Sequence, residues 1–294
     1  TIDDWTEVLK RNNNFDSAYI QIGKALYRQG KYEEAMEYYK AAYETENYSD
    51  AWKEIRKEWA SKYFWTIPVV LVVVFVLLGK FFGYAAKVNT RAALKVGRKS
   101  LKEELLYAFH VIFHPFDGFW DLKHEKRGSM RSASVILITT ILVYFYNSIG
   151  KGYIFSPYTS YSDIFGAVTA VLAPLLLWVV ANWCLTTLFE GEGSMRDIFI
   201  ASCYCLTPLI LLIFPSTLLS HVLAANESGI LTLMSSFAYL WLGILLVLGM
   251  MVTHDYSVGK NLLTCLATIV GMAFIMFIGI LFTSQIGRAS CRER

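Results

Sequence analysis

The sequence predicts an all-α membrane protein, in which helical repeat hairpins precede a polytopic transmembrane helix bundle of about six spans. The chain of 294 residues is 55% hydrophobic and 17% charged, with a mean hydropathy of +0.41, which is typical of an integral membrane protein. Its N-terminal part is polar and rich in tyrosine. Six apolar runs follow, each close to the ~20 residues that a helix needs to cross a bilayer.

Residues 1–64 are predicted to be tetratricopeptide-like repeats, with the best unit at 16–49 and a terminal cap helix at 50–64. Small residues stand where two helices would cross, a glycine stands at the turn, and aromatic residues fill the gaps. The residues that carry this pattern are Tyr19, Ile22, Gly23, Ala25, Leu26, Gly30, Tyr32, Ala35, Tyr39 and Ala42. The segment resembles a tetratricopeptide repeat, which implies a stack of hairpins with a groove for a protein or peptide partner.

The side chains predicted to line this groove are Tyr19, Lys24, Arg28 and Lys31, although a solvated face is the simpler interpretation of any single charge. Arg56 stands 33 residues after Gly23 and replaces it, which predicts a terminal helix with a solvated outer face. Because the chain starts inside a helical pattern, we expect a fragment with more repeats upstream. Residues 286–294 resemble a translated sequencing adapter and are left out of the fold.

The first predicted transmembrane helix is 65–82, and a basic linker follows at 83–104. The other five predicted spans are 133–149, 164–189, 198–223, 230–252 and 262–283. The cap helix 50–64 is expected to continue into the first span. No Asp, Glu, Lys or Arg lies deep inside any span.

Charge bias predicts the orientation of these spans in a cell membrane. Residues 83–131 carry ten Lys and Arg, which places them in the cytoplasm by the positive-inside rule. Alternation then places the repeats outside the cytoplasm, together with residues 150–163 and 224–229. The opposite orientation remains the alternative.

Residues 105–131 are predicted to lie at the membrane interface, where His114-Pro115 ends one helix and a second, aromatic helix begins. The predicted interface residues are Phe116, Phe119, Trp120, Lys123, Lys126 and Arg127. These side chains suit contact with the lipid bilayer, including anionic headgroups.

The chain from residue 105 to 285 resembles the bacterial branch of the Yip family, a five-span membrane domain named for Rab-interacting proteins. The matching features are the Pro115–Lys123 segment, Lys126-Arg127-Gly128-Ser129, the loop Gly191-x-Gly193-Ser194-x-x-Asp197, and Tyr204 with Pro208. The resemblance implies five spans after a cytoplasmic segment. The Asp-Leu-Tyr-type motif of eukaryotic members is missing, which argues against Rab binding.

No catalytic, cofactor or metal site is predicted. His110 and His114 stand near three further polar residues of metal-binding type, but Pro115 would break the helix that aligns them. Without the adapter-like tail the net charge falls from +3 to +1, so nothing points to nucleic acid.

The sequence therefore favours a non-enzymatic membrane scaffold or adaptor, in which the repeats dock a partner and the bundle anchors or organises an assembly. The alternative is a transport-associated membrane component or small-solute carrier.

Overall fold

The computed structural model describes residues 2–95, 97–157 and 164–292. Within these ranges the chain is helical and has no strand, which confirms the predicted all-α class. Six segments of the described chain are long and apolar enough to cross a membrane. They are Thr66–Ala93, Met130–Ile149, Ile164–Thr186, Met195–Leu219, Ala225–His254 and Val258–Leu281.

The chain divides into two compact units. The described parts of Thr1–Phe81, Tyr146–Ser162 and Leu212–Ser236 form the first unit. The second unit comprises the described parts of Phe82–Phe145, Asp163–Leu211 and Phe237–Arg294.

Four short helices open the first unit, and each packs against the next. They are α1 (Ile2–Arg11), α2 (Asp16–Arg28), α3 (Tyr32–Ala41) and α4 (Thr45–Lys62). Gly30 has φ +76° at the turn between α2 and α3, a conformation that glycine adopts without steric cost. The small core of this part includes Ile22, Leu26, Ala35 and Tyr39.

A short break separates α4 from α5 (Thr66–Ala93), so the expected continuous helix does not form. Pro68 explains this difference, because it lacks the N–H that would bond to the carbonyl of Phe64 in an uninterrupted helix. A proline is tolerated in the first turn of a new helix, where the N–H groups have no helical acceptor. Helix α5 then extends past the predicted span, so much of the predicted linker is helical.

The remaining helices follow the predicted order closely. They are α6 (Leu101–Phe113), α7 (Pro115–Lys123), α8 (Met130–Ile149), α9 (Ile164–Phe189), α10 (Met195–Cys205), α11 (Thr207–Leu219), α12 (Ser228–His254) and α13 (Val258–Arg292). Pro115 ends α6 and begins α7, as the sequence indicated. In the second unit, α9 packs against α13 and α10, and α7 packs against α6 and α10.

The fourth predicted span is two helices, α10 and α11, which meet at Leu206. Pro208 causes the break, since it cannot donate to the carbonyl of Tyr204 four residues earlier. The hydroxyl of Thr207 donates to that carbonyl instead, at 2.8 Å. The freed backbone oxygen is therefore satisfied inside the membrane-spanning region.

Candidate functional site

In the first unit, helix α4 is fastened to the segment that joins α11 to α12. Arg56 donates two hydrogen bonds to the carboxylate of Glu227, at 2.6 and 2.7 Å. The same guanidinium and the indole N–H of Trp52 each donate to the backbone carbonyl of Val222, at 3.0 Å. A bidentate pair of this kind fixes orientation as well as adding energy.

One further hydrogen bond joins α4 to this segment, and a second one lies within the segment. The hydroxyl of Ser49 accepts from the backbone N–H of Ala225 at 2.8 Å, and the Glu227 carboxylate accepts from the N–H of Ala224 at 2.9 Å. Helix ends leave such backbone groups without helical partners. Helix α4 therefore supplies partners near the end of α11 and the start of α12. We call the contacts of α4 with residues 222–227 the α4 anchor.

The outer face of α4 is less solvated at Arg56 than the sequence predicted. Its side chain is 27% exposed and that of Glu227 is 30% exposed. The hydrogen bond with Glu227 is the main reason why the pKa of Arg56 is raised above its usual value. The outer face of α4 is thus partly covered by this chain's own membrane loop.

Comparison with Gly23, which stands 33 residues earlier, explains why position 56 has room for a long side chain. At the corresponding Gly23, a Cβ atom would lie 2.6 Å from the Tyr39 ring, because α3 packs tightly against α2 there. At Arg56, helix α4 faces residues 222–227 rather than a following repeat-like helix, which leaves room for a guanidinium. The exchange of glycine for arginine was the only sequence signal of the α4 anchor, and its partner was not foreseen.

A second loop of the first unit also contacts the repeat-like helices. The rings of Tyr48 and Tyr153 lie 4.6 Å apart, and the Tyr153 hydroxyl donates to the carbonyl of Lys40 at 3.4 Å. The backbone N–H of Gly152 donates to Ser220 Oγ at 2.8 Å. Residues of α3 and α4, of 150–157 and of 220–227 therefore lie at the same end of the first unit.

Three of the predicted groove residues are cations at one end of the α2–α3 hairpin. Lys24 and Arg28 are one turn apart on α2, so they share a face. Lys31 stands just before α3, and its ammonium lies 3.7 Å from Glu34. Arg28 and Lys31 are exposed, which leaves both accessible to an acidic partner.

Tyr19, the fourth predicted groove residue, lies on the opposite side of α2 from Arg28, since nine residues turn a helix through two and a half turns. Its hydroxyl donates to the carbonyl of Asn13 at 3.1 Å, and its ring packs against Tyr38 at 6.3 Å. The structure therefore does not bring Tyr19 together with the cations. Its contacts indicate a packing role within the hairpins.

In the second unit, polar side chains tie α5, α6 and α7 together. The Tyr107 hydroxyl donates to Asp121 at 2.5 Å, and burial is the main cause that raises the pKa of Tyr107. The guanidinium of Arg127 lies 4.5 Å from the centre of the Tyr107 ring and donates to the carbonyl of Asn89 at 2.9 Å. This arrangement combines a cation–π contact with a charged hydrogen bond.

Arg127 is only 4% exposed and Phe119 only 1% exposed, which corrects the interface prediction for these two residues. A Cβ atom on Gly249 would lie 3.0 Å from the Phe119 ring, so that ring packs directly on α12. Both side chains are held by protein rather than by lipid. The interface role stays a prediction for Phe116, Trp120, Lys123 and Lys126.

A buried carboxylate organises the segment that enters α8. Glu104 is 2% exposed and accepts hydrogen bonds from the Ser129 hydroxyl and from Arg131, the latter at 3.3 Å. The Tyr204 hydroxyl lies 2.9 Å from both the Glu104 carbonyl and Ser132 Oγ. The matching motifs at residues 126–129 and 204–208 are thus joined through one buried polar network.

The glycine-rich loop of the second unit packs on a buried histidine. The N–H of Gly193 donates to His254 Nδ1 at 3.2 Å, so His254 Nε2 carries the proton and donates to Asn182 Oδ1 at 2.8 Å. Asn182 in turn donates to Thr268 Oγ1 at 3.1 Å. His254 is 1% exposed, so these hydrogen bonds lie in the protein interior. The chain of bonds joins the loop to α12, α9 and α13.

Residues 109–281 match the Yip1 domain family, and this range is more than half of the chain. The protein belongs to the Yip1 family. Neither the curated proteins nor the solved structures gave a match to the chain. The match confirms the predicted resemblance to the Yip family at the level of the family. With its six apolar helices, the protein is a multi-pass membrane protein. The repeat-like helices lie outside the matched range.

The Yip1 domain has a polar pocket beside α7, with a volume of about 390 Å³. We call it the α7 pocket. Residues from α7, from the glycine-rich loop and from the end of α12 line it, including Asp117, Trp120, Lys123, Glu192, Asp255 and Tyr256. The Lys123 ammonium lies 3.0 Å from a carboxylate oxygen of Glu192, which lowers the pKa of that carboxyl.

The Yip1 domain also contains an apolar cavity of about 230 Å³ among α8, α9, α10, α11, α12 and α13. Among the described residues, no group of three or more His, Cys, Asp and Glu side chains is placed to hold a metal ion. His110 and His114 stack on each other at 4.8 Å, while Asp121 accepts from Tyr107. These side chains have other partners in the part of the chain that the structure describes.

Proposed function

We propose that this Yip1-family protein is a non-enzymatic membrane scaffold, whose repeat-like helices dock a protein partner next to the bilayer. The α4 anchor is the observation that carries this proposal. Through it, the repeat-like helices are bonded to a loop between two membrane-spanning segments at Val222, Ala225 and Glu227. A docking module held in this way would present its partner at a defined place on the membrane.

The resemblance to tetratricopeptide repeats supports the docking role. The hairpin of α2 and α3 has its turn at Gly30 and its tight crossing at Gly23, where Tyr39 is in close contact. Such hairpins stack and present a concave surface to peptides or partner helices. Lys24, Arg28 and Lys31 give this hairpin a basic patch, which favours an acidic partner.

We further propose that the protein lies in a bacterial cell membrane with its repeats outside the cytoplasm and residues 83–131 inside. The alternation of spans places the repeats, 150–163 and 224–229 on one side, and the contacts of the described residues of these segments support that grouping. A periplasm-active reporter fused near Asn47 tests the absolute orientation. A stable fusion without reporter activity would place Asn47 in the cytoplasm and reverse the orientation.

A photo-crosslinking experiment in cells tests the docking role. A crosslinking amino acid at Gln21, which is exposed near Lys24 and Arg28 on α2, should label a discrete partner protein. The double change Lys24→Glu and Arg28→Glu should remove this product. The matched double change Lys10→Glu and Arg11→Glu on α1 should leave it intact. A product that survives both pairs of changes would contradict the proposal.

Transport remains the second candidate, and the apolar cavity is the observation that favours it. The cavity lining includes Tyr144, Trp178, Ser202 and Tyr239 and, among the described residues, no Asp, Glu, Lys or Arg. An ion-coupled carrier usually needs such a charge within the membrane. Purified protein in liposomes distinguishes the candidates, since solute flux without a partner would overturn the scaffold proposal.

A further inference from the structure

We propose that the α7 pocket binds the phosphoethanolamine headgroup of a bilayer phospholipid. This inference goes beyond the scaffold proposal and does not depend on the repeats. It follows from the position of the pocket, from the balance of its charges and from the stacking contacts that its Trp and Tyr rings already make.

The pocket lies where an amphipathic helix meets the predicted membrane interface. Phe116 and Trp120 of α7 line it and are 54% and 49% exposed, so each has apolar surface free to contact lipid. Aromatic side chains of this kind are favoured at the headgroup level of a bilayer. The volume of about 390 Å³ is in the range of small-molecule sites.

The charges of the pocket favour a zwitterionic headgroup over an anionic one. Asp117, Glu192 and Asp255 contribute three negative charges and Lys123 contributes one positive charge, which leaves the lining at −2 with histidine neutral. A headgroup that carries only a phosphate would meet this net negative charge. A headgroup with an added ammonium would neutralise one of the carboxylates that lack a cation partner in the pocket.

Lys123 and Tyr256 of the pocket can donate hydrogen bonds to the phosphate of the headgroup. The Lys123 side chain is 13% exposed, and its ammonium has further donor capacity beyond its bond to Glu192. The hydroxyl of Tyr256 is buried without a hydrogen-bond partner among the described residues. A buried hydroxyl without a partner is costly, so a ligand oxygen that accepts from it would be stabilised.

The Tyr256 and Trp120 rings of the pocket are already stacked, which argues for a primary ammonium rather than a quaternary one. Quaternary ammonium ligands are held by open aromatic faces. The Tyr256 ring is already covered by His254, stacked at 5.0 Å, and by the Lys260 ammonium at 5.0 Å. His124 stacks on Trp120 at 4.6 Å. The carboxylates remain as acceptors, and they require the N–H groups that ethanolamine has and choline lacks.

Native mass spectrometry of the full chain in detergent tests this assignment. The protein is mixed with equal amounts of phosphatidylethanolamine, phosphatidylcholine and phosphatidylglycerol of the same acyl chains. Wild type should retain phosphatidylethanolamine at least about 10-fold better than either of the others, since hydrogen bonds between its ammonium and the carboxylates join two charged groups and are of the strong kind. Retention of either competing lipid at the same level would overturn the proposal.

Matched variants identify the site. Asp117→Asn with Asp255→Asn should abolish the preference for ethanolamine, while Asp3→Asn with Asp16→Asn, two exposed positions far from the pocket in sequence, should preserve it. An unchanged preference in the first pair would place the binding elsewhere and refute the assignment. The wild-type competition stands by itself if the first pair does not fold.

Soluble phosphoethanolamine distinguishes the source of the headgroup. At millimolar concentration it should displace little phospholipid, because the acyl chains add apolar contact that the free molecule lacks. Displacement at concentrations equal to the lipid would identify a soluble ligand and overturn the assignment to the bilayer.

Discussion

Replacement of Arg56 by alanine should open the α4 anchor while leaving the membrane spans folded. The change removes both hydrogen bonds to the Glu227 carboxylate and one bond to the carbonyl of Val222. It leaves the bond from Trp52 to Val222 and the bond between Ser49 and Ala225 in place. Helix α4 should therefore detach more often from residues 222–227, without leaving permanently.

The expected size of this effect is about 2 kcal/mol. Hydrogen bonds that involve charged groups contribute ~1.5–3 kcal/mol. Both side chains are close to a third exposed, at 27% and 30%, so solvent screening keeps the loss near the lower part of that range. A loss of about 2 kcal/mol corresponds to a roughly 30-fold increase in the population of the open anchor.

Hydrogen exchange of the full chain in nanodiscs measures this opening. The amide of Ala225, which bonds to Ser49 of α4, should exchange about 30-fold faster in Arg56→Ala. Lys57→Ala is the matched control, because Lys57 is 77% exposed and its ion pair should contribute under about 1 kcal/mol. Equal exchange in wild type and Arg56→Ala, or the same acceleration in the control, would refute the reasoning.

Three further changes test the second unit. Gly193→Ala should lower the melting temperature, since its Cβ would lie 2.8 Å from the His254 ring, while Gly243→Ala, with nothing within 4 Å, should not. Tyr204→Phe should cost about 1–2 kcal/mol of stability in denaturant titration, because the buried Glu104 network loses a hydroxyl. Burial lowers the pKa of His110 below 6.5, so the unfolded chain binds more protons there. Stability should then fall as pH drops below about 6.5, and His110→Gln should flatten this slope in thermal melts; a slope unchanged by the variant would refute it.

The membrane spans were predictable because their signal is local. A helix that crosses a bilayer needs a long apolar run, and the run at 230–252 matches α12 to within two residues at each end. The break at Leu206 was less visible, although Pro208 stood inside the predicted span. Proline is tolerated in membrane helices, so its presence alone does not say whether a helix bends or ends.

The α4 anchor was not predictable, because Arg56 and Glu227 are separated by 171 positions in sequence. Both residues are ordinary surface types, and neither hydropathy nor spacing indicates which opposite charges meet. Arg56 stands where the repeat pattern has glycine, which indicated only that no further helix packs closely against α4 there. The identity of what covers the arginine had to come from the fold.

The burial of Phe119 shows a limit of a different kind. The pattern of α7 correctly indicated an aromatic helix, but lipid and protein interior are both apolar environments. Hydrophobicity therefore cannot tell a ring that faces the bilayer, as predicted for Phe116, from one that packs on α12. Arg127 illustrates the same limit, since a cation at an interface and a cation buried over Tyr107 look alike in sequence.

The short connection between α4 and α5 restricts what opening of the α4 anchor can do. Helix α4 ends at Lys62 and α5 begins at Thr66, so only residues 63–65 join them. Three extended residues reach about 10 Å, which keeps the end of α4 close to the start of the first span even when the anchor is open. Opening would therefore change the direction in which the hairpins point rather than their distance from the membrane. A partner that binds the basic patch equally well in both directions would leave the anchor equilibrium unchanged. A partner that also contacts the membrane in one direction would shift that equilibrium, and by linkage the anchor would contribute to its affinity.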